Sequence, residues 1–307
     1  MRRGLNYLSY LAAAGAAGPL IRPRADVVIA TSPQFFAGWA GLPVARAHRA
    51  PFVLEIRDIW PDSIVAVGAL PEGRIVRTLG RLEKALYARA DHIVAVGEGY
   101  RANMIQKGVA PSRISVVTNG VDVDLFTPRE PDQALRARLG LSPDTFVITF
   151  AGTIGMASDL RVVLGAAGIL KARGRDDIAF LLVGDGALRA DLEREASAAG
   201  LQNVVFTGLV PRAELPVYLA SSDACLAHFR KDELFRMILP NKFFEDAAME
   251  RPILLGFEGD AREMLREADC GLSFEPSSAE GLAAAAEHLA AASPQERQRL
   301  GENGRRY

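Results

Sequence analysis

Cysteine is nearly absent from this chain: only Cys225 and Cys270 occur in 307 residues, both in apolar stretches and without C-x-x-C spacing. That argues against a disulfide framework or a thiolate metal centre and for two reduced, buried side chains. Histidine is almost as scarce. His48, His92, His228 and His288 are scattered and form no H-x-x-x-H pair, so the usual sequence pattern of a zinc site is missing. There is no excess of charge of either sign. A formal net charge of −1 argues against a general nucleic-acid binder. Long apolar runs are lacking too. The nearest, residues 5–21, is broken by Asn6, Ser9, Gly15 and Pro19 and bracketed by Arg2, Arg3, Arg22 and Arg24. A basic start and small residues such as Ala14 and Ala16 also suit a secretory signal. The run leads almost directly into a strand at 26–30, however, which favours a helix lying on the fold or at a membrane surface.

What is present is an ordinary globular composition, 49% apolar and 24% charged, in a chain about twice the size of one domain. Apolar runs alternate with helical patterns over short connections, the mark of an α/β chain with parallel sheets. In the first half, strands are expected at 27–30, 52–56, 92–96 and 114–117, and helices at 35–46, 74–89 and 98–107. The turn Thr31-Ser32-Pro33-Gln34 offers capping hydroxyls at a strand end. The strand at 52–56 delivers Arg57, Asp58, Ile59, Trp60, Pro61 and Asp62 at its carboxyl end, where an α/β sheet holds site residues. Arg57 and Asp58 are therefore site candidates, and an ion pair pinning the loop is the plainer alternative. In the helix at 74–89, Ile75, Leu79, Leu82 and Leu86 are spaced toward a core, while Arg74, Arg77, Arg81 and Lys84 line the other side. That basic face is either simply solvated or, with the basic N-terminus, suited to an anionic leaflet. Asn119-Gly120-Val121-Asp122 reads as a glycine turn locked by Asx-type bonds. Pro128 and Pro131 then mark the crossing, dividing the chain into 1–127 and 128–307.

The second half restarts the alternation. A strand at 146–151 runs into Gly152-Thr153-Ile154-Gly155, and one at 180–183 into Gly184-Asp185-Gly186. Glycine turns between a strand and a helix let backbone N–H groups approach phosphate, although a tight structural turn is the more frequent explanation of such residues. The strand at 204–206 leads to Gly208-Leu209-Val210-Pro211, and the one at 223–227 sets His228 at its end, near the donor or, as the simpler reading, packed or facing solvent. The segment LPNKFFEDAAMERPILLG, residues 239–256, reads as a helix stopped by Pro252 and followed by a buried strand. Lys242 and Glu245 share one helical face. They form either a solvated pair or a cation and a carboxylate placed for phosphate and ribose.

The run Pro240, Asn241, Lys242, Phe243, Phe244, Glu245, then Ala248, Met249, Pro252 and Ile253, resembles the donor-binding segment of the family 4 retaining glycosyltransferases. EIRDIWPDS, NGVD, the 152–155 turn, GDG and the residues after FTG match family segments in the same order. The resemblance implies two Rossmann-like domains facing a cleft, the GT-B arrangement, with an incomplete acceptor-side domain first and a nucleotide-sugar domain second. It implies retaining transfer of a hexosyl or N-acetylhexosaminyl sugar from a nucleotide diphosphate donor, expected to be UDP-linked, to a saccharide or polyprenyl-linked acceptor. No cofactor, metal or nucleic acid is implied, and the expected location is cytoplasmic, with peripheral attachment to the inner membrane face as an option. Arg57, Asp58 and Lys242 take the catalytic positions. Gly152, Thr153, Gly155, Gly184, Asp185, Gly186, Leu209, Val210, Asn241, Lys242 and Glu245 take the donor-binding ones.

The chain also departs from the family. Arg57 stands where many members carry a histidine, and Met237 stands eight positions before Glu245, where a first glutamate is common. Glu233 is out of register and does not inherit that role. The arginine–lysine pair often found after the glycine turn is not seen in GMASDL. A sub-group acting on amino or deoxy sugars in polysaccharide assembly shares Arg57, Asp58 and WPDS, and often lacks both the histidine and the glutamate. Family members begin with elements that precede anything like residues 5–21 and continue beyond Tyr307, so the chain reads as lacking roughly a first quarter and part of a last helix. Two rival expectations remain: a non-catalytic nucleotide-binding remnant, and a sugar-nucleotide epimerase of the same architecture.

Overall fold

The computed structural model describes residues 2–32 and 35–307. Pro33 and Gln34 of the expected capping turn, and the side chains of Arg2 and Arg3, lie outside the described residues. The chain forms two compact units, Met1–Thr118 and Asn119–Tyr307.

The first unit opens with α1 (Arg2–Ala17) and continues through β1 (Val28–Thr31), α2 (Phe35–His48), β2 (Phe52–Ile56), α3 (Asp62–Ala66), α4 (Arg74–Arg89), β3 (His92–Ala95), α5 (Glu98–Gln106) and β4 (Ile114–Val116). The strands form one parallel sheet in the order β1-β2-β3-β4. In β2 the alternation of FVLEI turns Phe52, Leu54 and Ile56 into the core. Gly41 lets α2 approach, because a Cβ there would strike the Phe52 ring and Ala30. The α1 helix and the 3-10 turn after it lie on α2, where Gly15 and Gly18 face Pro43 and Val44. Among the described residues no helix is long and apolar enough to cross a membrane.

One helix is rotated from its sequence expectation. Ile75 and Leu82 of α4 are 68% and 37% exposed, and the inward stripe is Glu83, Leu86 and Tyr87. Glu83 holds a core position because it is fully partnered: Lys107 Nζ lies 2.7 Å away and the Tyr87 hydroxyl donates at 2.8 Å. Lys107 also donates to Asp62 at 2.8 Å. Burial outweighs the attraction of Lys107 and leaves the Glu83 carboxyl above its ordinary range.

The second unit contains α6 (Gln133–Arg138), β5 (Phe146–Ala151), α7 (Arg161–Ala172), β6 (Ile178–Val183), α8 (Arg189–Ala198), β7 (Val204–Gly208), α9 (Leu215–Ala220), β8 (Ala224–His228), α10 (Asn241–Ala248), β9 (Ile253–Gly256), α11 (Asp260–Ala268), β10 (Gly271–Ser273), α12 (Ala279–Ala291) and α13 (Pro294–Arg306). Its parallel sheet runs β10-β9-β8-β5-β6-β7. Every residue of β5, β6, β8 and β9 is buried, Thr149 and His228 included, as near-continuous apolar runs covered on both faces require. Residues 231–239 include a 3-10 turn at Glu233–Met237. The α10 helix stops at Ala248 and the chain turns at Glu250, with φ 55°, before it reaches Pro252.

The boundary falls earlier than the expected 128 because Phe126 belongs to the second core. It is fully buried and packs in one cluster with Leu141, Val147 and Met249. Asp122 Oδ1 accepts from the N–H groups of Asp124 and Leu125 at 3.1 Å each, which is the expected Asx-type lock. Gly120 does not take a positive φ, so that turn does not depend on glycine. Phe126→Ala should lower stability by about 3–5 kcal/mol in urea unfolding, whereas Val123→Ala, at a 54% exposed site, should stay within about 0.5 kcal/mol.

Candidate functional site

The site is built where β5, β6 and β8 end. Gly152 leaves β5 with φ +147° and donates to the Val183 carbonyl at 2.9 Å, while Ile154 donates to the Asp185 carbonyl at 3.0 Å. Gly184 has φ +141°, and a Cβ on it would overlap the Gly152 carbonyl oxygen. A Cβ on Gly186 would overlap the Ile154 carbonyl in the same way. Two of the sequence-selected turns thus pack backbone on backbone, and Gly184 and Gly186 are needed for that contact. Gly155 makes no such demand, since a Cβ there would meet only Thr153 Cγ2 at 3.5 Å. Thr153 and Asp185 are exposed on these turns. The Asp185 carboxylate is turned back onto the Gly186 N–H at 2.7 Å.

The start of α10 meets this double turn. Pro240 at its N-cap supplies no side-chain hydrogen bond, and Asn241 is exposed at the first helical position. Lys242 is half-buried, with its ammonium end turned inward. Nζ lies 3.6 Å from the Phe150 ring centre and 5.7 Å from that of Phe229. It would sit 3.4 Å from a Cβ on Gly152, so the absent side chain leaves it room. Among the described residues no carboxylate forms an ion pair with it. Loss of water pulls the Lys242 pKa down to about 7, against the pull of Asp246 and Glu245. Asp246, one turn on, is 2% exposed, and burial pushes its carboxyl well up. Both groups are driven toward their neutral forms.

Glu245, on the Lys242 side of the helix, has a side chain only 12% exposed. Arg212 Nη1 lies 2.8 Å from its Oε1, and the Arg212 guanidinium sits 5.2 Å over the Phe126 ring. Arg212 ends the loop that carries Leu209, 80% exposed, and Val210, which packs on the core around Phe126. Structure therefore gathers Gly152, Gly184, Gly186, Lys242 and Glu245 around one end of the second sheet, with the 209–212 loop joined to them through Arg212.

His228 is a packed histidine that ties three loops together. Its Nδ1 faces the Ser158 carbonyl at 2.7 Å and its Nε2 accepts from the Ser277 N–H at 3.0 Å, which fixes the Nδ1–H tautomer. Burial lowers its pKa to about 4. The side chain of Glu233 is 87% exposed and pairs with Arg236, with no tie to the α10 start. Glu258 lies 3.9 Å from Lys231 and 4.0 Å from Arg236. Gly259 is needed beneath this segment, since a Cβ there would overlap the Arg236 carbonyl.

In the first unit, Arg57 and Asp58 do not pair with one another. Arg57 reaches Glu55 at 3.9 Å, and Glu55 accepts from Thr31 Oγ1 at 2.7 Å. Asp58 Oδ2 accepts from Ser63 Oγ at 3.0 Å, which braces the loop from within. Burial raises its carboxyl above the ordinary range despite that bond. Trp60 stacks on Phe35 with ring centres 4.7 Å apart.

Two Rossmann-like units, with glycine turns at strand ends and a lysine at a helix start, define an α/β protein of the GT-B class. A family model for group 1 glycosyl transferases matches residues 145–292, and one for the glycosyl transferase 4-like domain matches residues 1–120. The chain belongs to this glycosyltransferase family. It is 26% identical over 265 residues to WbjE of Pseudomonas aeruginosa, named as a glycosyltransferase, across 85% of this chain and 65% of that protein. It is 34% identical over 199 residues to a D-inositol 3-phosphate glycosyltransferase of Thermobifida fusca, across 60% of this chain and 44% of that protein. The chain thus spans less than two thirds of the length of these curated relatives. The fold is similar to that of HepE from Anabaena, solved with UDP and glucose, at a TM-score of 0.76 and 18% identity over 96% of this chain and 75% of that one.

Phe150, Asp246 and Arg212 are the participants that sequence reasoning missed. Asp246 carried a usable signal, since a carboxylate three residues from Phe243 and next to Ala247 lies on the apolar face of the helix. Phe150 read only as a strand residue, and nothing near Arg212 in sequence pointed to Glu245. In an NMR titration the His228 ring should stay in the neutral Nδ1–H form until about pH 4. Stability is therefore lost as pH falls from the unfolded value near 6.5 toward 4, because the unfolded chain takes up a proton that the folded ring does not. A midpoint near 6.5 in the folded protein would contradict this packing.

Proposed function

We propose that the protein transfers a sugar from a nucleotide diphosphate donor, a UDP-sugar, to a saccharide or polyprenyl-linked acceptor in polysaccharide or lipopolysaccharide assembly. The observation that carries this reading is the desolvated Lys242 ammonium at the start of α10, over Phe150 and against the side-chain-free face of Gly152. A cation in a water-poor pocket without a carboxylate partner is stabilised by a dianion. UDP in the similarly folded HepE, and the naming of WcaI of Escherichia coli for colanic acid biosynthesis, support the donor and the pathway class. WcaI is 26% identical over 226 residues, 72% of this chain and 54% of that protein.

In this reading the base lies on the backbone at Leu209 and Val210, and Glu245 accepts from the ribose hydroxyls. Lys242, the open N–H groups at Asn241 and the Gly152, Thr153 and Gly155 backbone hold the diphosphate. Gly184 to Gly186 support that turn from behind. As the bond from the sugar to the diphosphate breaks, negative charge grows on the leaving oxygen, and Lys242 stabilises it without reorganisation. Arg57 and Asp58 order the sugar or acceptor. Transfer proceeds with retention of configuration and needs no metal. The exposed Arg74, Arg77, Arg81 and Lys84 face of α4 suits peripheral attachment to the anionic inner face of the cell membrane, on its cytoplasmic side. Met237, in place of a first carboxylate, favours a second reading: a nucleotide-binding protein without turnover.

Calorimetry with UDP should show saturable binding that Lys242→Ala weakens by about a hundredfold, the worth of a charge-assisted contact. Between pH 7 and 9 the free ammonium deprotonates, so binding must take up a proton. Affinity should fall roughly thirtyfold over that range and stay flat in the variant. Turnover of a UDP-sugar with a retained anomer establishes transfer. Binding without turnover establishes the second reading.

A further inference from the structure

The Arg212–Glu245 pair has a part that the proposed function leaves unused. Glu245 presents a carboxylate that is 88% withdrawn from water at the base of the 209–212 loop, on a side chain with three rotatable bonds. An acceptor of that length selects between hydroxyl positions only if something fixes its rotamer. Arg212 supplies the fixing. Its Nη1 stands 2.8 Å from Oε1, and the flat guanidinium lies 5.2 Å over Phe126, which is fully buried. The planar fork is thus held by the carboxylate on one side and by an immobile ring on the other. With Oε1 engaged, Oε2 and the remaining lone pairs are left to accept from a ligand. The Arg212 side chain is 63% exposed, so water screens its half of the pair and the contribution to folding is modest. Its geometry serves the carboxylate.

We propose that Arg212 is a positioning residue that orients Glu245 toward the ribose, and so sets the preference for ribonucleotides over 2′-deoxyribonucleotides. The proposal rests on the donor-site reading given above. A guanidinium acting only as a diffuse positive charge would strengthen all anionic nucleotides equally. One acting through Glu245 changes the ratio between two ligands that differ by a single hydroxyl.

The test is calorimetric titration of the whole chain with UDP and with 2′-deoxy-UDP. Wild type should prefer UDP by about tenfold or more, as expected for a hydrogen bond to a charged acceptor. In Arg212→Ala the ratio should collapse to about twofold while the thermal unfolding midpoint hardly moves. Arg212→Lys should restore part of the preference. Glu245→Gln should lose it as well, and the double variant should lose no more than either single one, the mark of coupled residues. A drop in UDP affinity in Arg212→Ala with an unchanged ratio overturns the proposal, as does a wild type that binds both ligands equally. Folded wild type that binds neither ligand removes the donor-site reading itself, a result distinguishable from both.

Discussion

A lysine ammonium held against an aromatic ring, with too little water and, among the described residues, no carboxylate in an ion pair with it, is the constraint on which the second unit depends. The Phe150 face returns on the order of 2 kcal/mol to a desolvated cation, while removing a charge from water costs several kcal/mol. Loss of water, opposed by the pull of Asp246 and Glu245, brings the Lys242 pKa down to about 7. Such a cation is unfavourable for folding and favourable for a ligand that brings negative charge. The surroundings keep it there. Gly152 offers no side chain to fill the space beside Nζ, and Gly184 and Gly186 allow the two turns to press together into a stiff floor.

The fold itself was legible because its signals are local and consistent. Wholly apolar runs such as Ile253–Gly256 became the buried parallel strands, and the alternation with helices left few topologies open. The glycine turns and the Lys242–Glu245 pair were legible for the same reason, since each is written within a few residues. What was not legible is what joins distant stretches. Arg212 meets Glu245, Lys107 meets Glu83, and Phe126 enters the second core, each across a gap that periodicity cannot span. The α4 helix shows the limit plainly: spacing favoured Ile75 and Leu82, but a partnered glutamate took the inward stripe.

In the first unit the same logic separates two neighbours that looked alike in sequence. Asp58 is spent on its own loop through Ser63, with its carboxyl raised by burial. Arg57 is turned outward toward Glu55. A side chain anchored within its loop acts by shaping it. The two neighbours are therefore held by different partners, Asp58 by Ser63 and Arg57 by Glu55.

The most direct measurement of the central claim is the pKa of the Lys242 ammonium, followed by NMR on protein labelled at lysine, first alone and then saturated with UDP. The free protein should titrate near 7. The complex should titrate well above that, because the diphosphate stabilises the charged form. A value near 10.5 in both states would mean that the ammonium is in water and that the site is not poised for phosphate.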